Sequence, residues 1–516
     1  MIYYYYPKMV KYSCEKCGRV FKQLSHYKQH MKRKTPCVFT AKLQERIDKT
    51  VIERVNQIIQ TQTLTETSPL TNSLQLNETI PVTSATNVPL SPNIVHDSFI
   101  DVCHFYDTVF NVDKTTYKSS NDEPTPMDCV KELVQSIPTS FWGNDDIKIL
   151  DPCCGNGNFG VHVYNNLVKH HDSKTVLESM MEFNDINEQR LDNVRTVFSA
   201  DTYNLQITQH DFLTTTYTNK YDLIVANPPY AKLLENGKRA SKNHNLIKDF
   251  IQKSLDVLKP DGYLLFITPD NWMSYADRNV LIKILTRLQI VHLDIHRAKK
   301  YFKKIGSSFT WYLIQNKPAT TDIQVSGIWK KKEYISSIPS IERKYIPLLY
   351  TKEVYSILLK TIDNEQLTKY AVETSSNLHR YTKRELIQDT VDDTYQYRLI
   401  HTPKQTCYAS RPHKYQDGYK VFISTTDKYK VFVDNCGMTQ SIVFIRCSSK
   451  EVANQIKQIL EHPLYIFINN LCRWGNFNNI RILQSFPIPM VDSYDETTIY
   501  RHFNITDEEI QFMNEH

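Results

Sequence analysis

Glycine is scarce in this sequence, and long apolar runs are absent from it. Only 12 of the 516 residues are glycine, so a local concentration of glycines is informative. No stretch of about 18 consecutive apolar residues occurs, which argues against a membrane-spanning helix. The opening MIYYYYPKMVKYSC also lacks the apolar core of a secretory signal peptide. We therefore expect a soluble, intracellular protein with no membrane partner.

A regular cysteine framework and a strong charge of one sign are lacking as well. The eleven cysteines include three within the first 37 residues and eight that are scattered, which favours a reducing compartment. The net charge of +6 is compatible with a polyanionic partner but does not require one. The length leaves room for about two to four domains.

The first 37 residues form a small basic unit with the cysteine and histidine spacing of a zinc finger. Two residues separate Cys14 from Cys17, and His30 follows after twelve more. The usual second histidine is missing, so either Cys37 or His26 completes the site. We favour Cys37, because the gap between the second cysteine and His30 then keeps its usual length. So small a unit has little core and needs a metal to hold it together.

Composition divides the rest of the chain. Residues 39–60 carry the spacing of an amphipathic helix. Residues 61–97 are rich in Ser, Thr, Asn and Pro and contain no Lys or Arg, which predicts a flexible linker. The predicted parts are a zinc module (1–37), a helix with a disordered linker (38–97), an α/β domain (98–325) and an α+β lobe (326–516).

Apolar runs alternate with helical stretches between residues 98 and 325. Such alternation predicts an α/β domain with a mostly parallel sheet. The predicted strands are IKIL (147–150), TVLESMMEF (175–183), LQIT (205–208), YDLIVA (221–226), YLLFIT (263–268), IVHLDI (290–295) and FTWYLIQ (309–315).

The first predicted strand leads directly into a glycine turn, DPCCGNGNFG, at residues 151–160. In doubly wound folds such a turn brings backbone against a cofactor at the carboxyl end of a strand. The Gly-Lys-Ser/Thr of a phosphate loop is missing, whereas the spacing of Gly155, Gly157 and Gly160 leaves a dinucleotide site open. The residues that follow the next strands indicate which kind of ligand this turn binds.

Acidic residues follow the next two predicted strands. Asp185 is placed to hold ribose hydroxyls. Asp211 can accept a hydrogen bond from an adenine amine, and the ring of Phe212 can pack on the adenine face. The ordered series predicts a nucleoside-containing cofactor.

The fourth predicted strand leads directly into the tetrapeptide Asn227-Pro228-Pro229-Tyr230, called the NPPY loop below. The two prolines fix the backbone and remove two N–H donors, which makes a rigid loop. The Asn227 side-chain oxygen and the Pro228 carbonyl can both accept from an exocyclic amine, which frees its lone pair to attack a methyl sulfonium. Tyr230 offers a face on which a planar substrate can stack. The loop therefore predicts methylation of a planar amine.

The order of these motifs resembles that of the amino-group DNA methyltransferases. More narrowly, it is similar to the N6-adenine enzymes of restriction–modification type, in which the cofactor motifs precede the catalytic motif. The resemblance covers about residues 98–325 and includes Thr125-Pro126 and KIGSSFTWYLIQ (304–315). It implies a Rossmann-like fold, S-adenosylmethionine as cofactor, and Phe309 as a second aromatic face for the target base.

The resemblance also assigns roles to the motif residues. The implied cofactor contacts are Thr125, Pro126, Asp151, Cys153, Gly155, Gly157, Asp185, Asp211 and Phe212, and the implied catalytic residues are Asn227, Pro228 and Tyr230. Cys153-Cys154 replaces the small residues that are frequent in the family, which leaves the contact at Cys153 open. Enzymes that methylate a cytosine carbon use a cysteine thiolate as nucleophile. We reject this role for Cys153, because this residue precedes the glycine turn and is not on a catalytic loop.

The last predicted lobe (326–516) intersperses basic residues with aromatics in SRPHKY, KYKVF and LCRWGNFNNIRI. Such patches suit phosphate contacts and base stacking, so the lobe and the zinc module favour double-stranded DNA whose target base is flipped out. Methylation of RNA or of a glutamine side chain stays open, as does nucleic-acid binding by an inactive core. A separate cognate endonuclease is an open partner.

Overall fold

The computed structural model describes most of the chain beyond residue 90. The described residues are 12–13, 20–21, 91–113, 123–218, 220–230, 246–302, 308–375, 378, 384–426, 428–491 and 493–516. They fall into two units, Met1–Val88 and Pro89–His516.

The first unit contains a short antiparallel strand pair, β1 (Tyr12–Ser13) and β2 (Val20–Phe21). Tyr12 lies opposite Phe21, and Ser13 lies opposite Val20. The predicted zinc ligands Cys14, Cys17, His30 and Cys37, the alternative ligand His26 and the predicted helix 39–60 lie outside the described residues.

A nine-stranded sheet forms the centre of the second unit. Its strand order is β11-β10-β8-β9-β7-β6-β3-β4-β5. Five of the neighbouring pairs are parallel and three are antiparallel, which confirms the predicted α/β class. The strands are β3 (Ile149–Asp151), β4 (Met181–Asn184), β5 (Gln206–Thr208), β6 (Tyr221–Ala226), β7 (Leu258–Pro269), β8 (Leu288–Ile295), β9 (Phe309–Pro318), β10 (Ile323–Trp329) and β11 (Lys332–Ile338).

Helices cover both faces of this sheet. In β6, Leu223 and Val225 face one apolar cluster, while Ile224 and Ala226 face the other. Burial on both faces explains why residues 223–226 are a continuous apolar run. The helices are α1 (Phe99–Phe105), α2 (Met127–Val134), α3 (Asn158–Leu167), α4 (Ser173–Thr175), α5 (Glu188–Val197), α6 (Leu246–Val257) and α7 (Val280–Arg287).

The predicted strand 175–183 is wrong over most of its length. Thr175 ends α4, Val176–Met180 is a π-helical turn, and the strand begins only at Met181. Val176, Leu177 and Met180 are buried with helical spacing. A short apolar run has the same composition in a buried helical turn and in a buried strand, so the sequence pattern did not separate them.

The sheet also continues past the predicted domain boundary after residue 325. Strands β10 and β11 form a hairpin whose two turn residues, Lys330 and Lys331, have φ of 46° and 70°. Positive φ at both positions is the conformation of a tight hairpin turn. At the other end, the last residues of the predicted linker pack on the domain: Ile94 is buried and donates its backbone N–H to the Val197 carbonyl at 2.9 Å.

The remaining lobe combines two four-stranded sheets with helices, in agreement with the predicted α+β type. The sheet orders are β12-β19-β16-β17 and β13-β15-β14-β18. Its strands are β12 (Glu373–Thr374), β13 (Ile387–Gln388), β14 (Tyr397–Thr402), β15 (Gln405–Ala409), β16 (Lys420–Ser424), β17 (Val431–Asp434), β18 (Gly437–Met438) and β19 (Ile442–Arg446). Its helices are α8 (Lys352–Lys360), α9 (Lys450–Leu460), α10 (Pro463–Leu471), α11 (Ile480–Gln484), α12 (Glu496–His502) and α13 (Asp507–Glu515).

Candidate functional site

The glycine turn connects the end of β3 to the start of α3. Gly155 and Gly157 have φ of +55° and +89°, in the left-handed region that favours glycine. Gly157 is also the residue that precedes the first turn of α3. A Cβ added to it would lie 3.0 Å from the Phe198 ring, so a larger residue would crowd this ring as well as strain the backbone.

Asp185 ties this turn to the end of β4. Its Oδ2 accepts from the Gly155 backbone N–H at 2.9 Å, and its Oδ1 accepts from Asn187 N–H at the same distance. The side chain is buried. The structure thus brings the acid predicted after the second strand against the predicted turn.

Asp151 lies at the end of β3 and is also buried. Its Oδ1 accepts from Cys153 N–H at 3.3 Å, while its Oδ2 is buried without a hydrogen-bond partner among the described residues. Burial, with the nearby Asp185 charge, raises the pKa of the Asp151 carboxyl well above its ordinary value. Buried polar atoms are normally satisfied, so this oxygen suits a ligand with a positive charge or an N–H group.

The side chain of Asn227 is held by a segment distant in sequence. Its Nδ2 donates to the Glu123 carbonyl and to Thr125 Oγ1, both at 3.1 Å. The Thr125 carbonyl in turn accepts from Asn158 Nδ2 at 2.8 Å. Because Asn158 begins α3, one chain of hydrogen bonds joins the NPPY loop, the predicted Thr-Pro segment and the glycine turn.

Tyr230 contacts the oxygen atom of the Asn227 amide. Its hydroxyl donates to Asn227 Oδ1 at 2.5 Å, and its ring centroid lies 5.9 Å from that of Phe309. Phe309 is buried and also contacts Phe302, with 4.8 Å between the ring centroids. The structure therefore groups both predicted aromatic residues. It adds Phe302, which was not predicted although it lies close in sequence to the segment 304–315.

The other predicted residues differ in their surroundings. Pro126 precedes the first turn of α2, and Pro228 is buried while Pro229 is exposed. Asp211 is exposed, and its Oδ1 accepts from Leu213 N–H at 3.0 Å. The Phe212 ring is buried and stacks on Phe250 at 5.6 Å, so one of its faces is covered by the core.

A further group at the carboxyl ends of β7 and β8 was not predicted. Asp270 follows β7, and its Oδ2 lies 2.6 Å from Nε2 of His296, which follows β8. The His296 ring meets the Trp474 ring edge-on at 5.2 Å. These residues come from three distant segments, and their proximity has no local sequence signal.

The described residues contain neither a metal-binding cluster nor a helix that could span a membrane. Within those residues, no group of three or more His, Cys, Asp or Glu side chains could hold a metal ion. In the same part of the chain, no helix combines the length and apolar character needed to cross a membrane.

The part of the chain that contains most of these residues is similar to known proteins. The model of the Eco57I restriction-modification methylase family matches residues 128–302. Type II methyltransferase M.AccI of Acinetobacter calcoaceticus is 26% identical over 236 residues, which cover 42% of this chain and 41% of the relative. Type II methyltransferase M.VspI of Vibrio sp. (strain 343) is 27% identical over 185 residues, covering 33% and 42%. The chain thus spans about two fifths of the length of these curated relatives.

Among solved structures, a nuclease-deletion mutant of the Type ISP restriction-modification enzyme LlaGI, in complex with a DNA substrate mimic, aligns with a TM-score of 0.48. The two share 12% identity, over 80% of this chain and 56% of that chain. The segment 128–302 that is similar to restriction–modification methylases contains the glycine turn, Asp185 and the NPPY loop.

Proposed function

We propose that this protein transfers a methyl group from S-adenosylmethionine to the N6 amine of adenine in a specific DNA sequence. The observation that carries the proposal is the hydrogen-bond chain from Asn227 through Thr125 to Asn158. It puts a preorganised amide acceptor beside the turn that would bind the methyl donor. Such preorganisation is the main contribution a protein can make to this reaction.

The residues at the turn fit S-adenosylmethionine. The unpartnered Asp151 Oδ2 suits the positively charged methionine end of this molecule. The proposed contacts are Asp151, Cys153, Gly155 and Gly157 for the methionine end, Asp185 for the ribose, and Asp211 with Phe212 for the adenine. Thr125 and Pro126 are further proposed cofactor contacts. When bound, the cofactor supplies an electrophilic methyl group on sulfur.

The NPPY loop would orient the amine that receives this methyl group. Because Asn227 Nδ2 is committed to Glu123 and Thr125, the amide oxygen is the group available to a substrate amine. An amide oxygen has two lone pairs, so it can accept from Tyr230 and from the amine together. The Pro228 carbonyl is the proposed second acceptor. Tyr230 and Phe309 are the proposed stacking residues for the base.

DNA is the proposed substrate because of the second lobe and the relatives. The two curated relatives are Type II methyltransferases, and the matching family model is that of a restriction-modification methylase. The lobe after the sheet is proposed to recognise the target sequence. Since an adenine amine is inaccessible inside a duplex, the base must be flipped out. A separate cognate endonuclease is the proposed partner. The enzyme itself is proposed to be soluble and intracellular.

The decisive experiment uses the purified full chain with methyl-labelled S-adenosylmethionine and unmethylated plasmid DNA. Digestion to nucleosides followed by chromatography should place the label in N6-methyladenine. Parallel reactions contain RNA or a protein extract as acceptor. Label on RNA or on glutamine alone, or no transfer at all, would contradict the proposal. Sequencing of the methylated plasmid would then identify the recognised sequence.

The amino-terminal unit is proposed to be a zinc module with Cys14, Cys17, His30 and Cys37 as ligands. The pairing of β1 with β2 supports this, because these two strands flank Cys14 and Cys17 in the sequence and lie opposite each other. We expect the full chain to bind one zinc ion and Cys37→Ser to lose it in metal analysis. His26→Ala should keep the metal; the reverse result would assign the fourth ligand to His26.

A further inference from the structure

The large apolar side chain of Phe477 is exposed on a loop of the second lobe. Residues 473–479, between α10 and α11, have the sequence RWGNFNN, and Phe477 at the centre of this loop is 62% exposed. Single exposed apolar residues are common on protein surfaces. The position and rigidity of this one give it further significance.

Buried hydrogen bonds hold the backbone of the loop. Asn478, next to Phe477, is 2% exposed, and its backbone N–H donates to the Thr425 carbonyl at 2.8 Å. Its Nδ2 donates to the Ser424 carbonyl at 2.8 Å, and its Oδ1 accepts from Asn469 Nδ2 at 3.0 Å. The phenyl ring is therefore presented to solvent from a fixed support.

The loop is also fastened to the edge of the sheet that carries the proposed site. Asn479 Nδ2 donates to Ser274 Oγ at 3.1 Å and to the Tyr275 carbonyl at 2.9 Å, in the segment that follows β7. Trp474 packs against His296 at the end of β8. Strand β7 pairs with β6, whose carboxyl end continues into Asn227. Both ends of the loop thus lie at the carboxyl edge of the sheet.

We propose that Phe477 enters the DNA duplex beside the target adenine and stacks on the bases that remain when the adenine is flipped out. This inference rests on the proposed function. Flipping removes stacking from the duplex, and an apolar side chain inserted between bases restores part of it. A rigid support favours insertion because little additional ordering of the loop is needed on binding.

The first test compares methyl transfer to unmethylated plasmid DNA by the wild type, Phe477→Ala and Phe477→Trp. Loss of one base–aromatic stack should lower the transfer rate at subsaturating DNA about 10-fold, and tryptophan should retain most of it. The matched control is Ile335→Ala on β11, where a side chain that is 81% exposed is truncated. The melting temperature and S-adenosylmethionine binding of all variants should equal those of the wild type.

The second test uses duplex oligonucleotides that contain the sequence methylated in the plasmid. In one of them the target adenine is paired, and in the other it faces an abasic site, which removes the cost of opening the pair. Phe477→Ala should be deficient on the first and close to wild type on the second. Equal deficiency on both, or wild-type activity on both, would overturn the inference. Absence of DNA methylation by the wild type would instead overturn the proposed function.

Discussion

The two ends of the proposed site are built from different kinds of group. At the cofactor end, comprising residues 151–157 and Asp185, backbone N–H groups in a glycine turn meet two buried carboxylates. At the amine end, comprising Asn227 and Tyr230, one amide is held by the Tyr230 hydroxyl, the Thr125 hydroxyl and the Glu123 carbonyl. We infer that the first end recognises a charged ligand and that the second orients a neutral one. Substitutions at the two ends should therefore affect different steps.

Asn227→Ala should produce the largest effect. Removing the amide takes away the preorganised acceptor, for which losses of about 100- to 1,000-fold in kcat are expected from comparable groups. S-adenosylmethionine binding, measured by calorimetry, should stay within about twofold of wild type, because the residue belongs to the amine end. The matched control is Asn166→Ala on α3, whose amide donates to the His162 carbonyl and accepts from Lys169 Nζ. Retained turnover in Asn227→Ala would remove this residue from the proposed mechanism.

Asp151→Asn should have the next largest effect, at the opposite end. The substitution keeps the shape and removes the charge, so we expect binding of S-adenosylmethionine to weaken about 10- to 100-fold, as loss of a charge-assisted hydrogen bond predicts. At saturating cofactor, turnover should recover substantially. Asp146→Asn, an exposed aspartate before β3, is the control and should bind like the wild type.

The same carboxylate predicts a pH dependence of cofactor binding. Burial raises the pKa of Asp151 in the free protein, and a cationic ligand would favour its charged form. Affinity in the wild type should therefore rise as the pH increases through this raised pKa, and it should fall on acidification earlier than an ordinary aspartate would cause. Binding of S-adenosylmethionine to Asp151→Asn should lack this pH dependence. Identical pH profiles for the two proteins would contradict the assignment of charge recognition to Asp151.

Local sequence patterns predicted the parts of this site that lie next to their own strands. YDLIVA was predicted to be a strand because it is rich in apolar residues, a composition that the burial of both faces of β6 explains. Its continuation into NPPY followed directly from the sequence. The contact of Asn227 with Thr125 joins residues 102 positions apart, and only the resemblance suggested that both belonged to one site. The Asp270–His296–Trp474 group was not anticipated at all, since tertiary packing alone brings these residues together.

Thr125→Val tests the connection between the two ends and should have a smaller effect. It removes one acceptor for Asn227 Nδ2 and leaves the Glu123 carbonyl in place. Loss of one hydrogen bond of about 1 kcal/mol should lower kcat about fivefold, if the hydroxyl acts through the orientation of Asn227. Thr125→Ser, which keeps the hydroxyl, should have a kcat close to that of the wild type. A change confined to the KM for S-adenosylmethionine would place Thr125 at the cofactor end alone.

Gly157→Ala and Gly155→Ala separate conformation from packing within the turn, and here the expected effect is on stability. Both residues have positive φ, so an added Cβ strains each by about 1 kcal/mol. At Gly155 the Cβ would meet no atom within 4 Å, whereas at Gly157 it would lie 3.0 Å from Phe198 and 3.3 Å from Val194. Crowding of that kind adds about 1–3 kcal/mol. Urea unfolding should therefore find Gly157→Ala the less stable variant by at least about 1 kcal/mol. Equal free energies of unfolding would mean that α5 shifts to accept the methyl group, and that Gly157 is required for its backbone conformation alone.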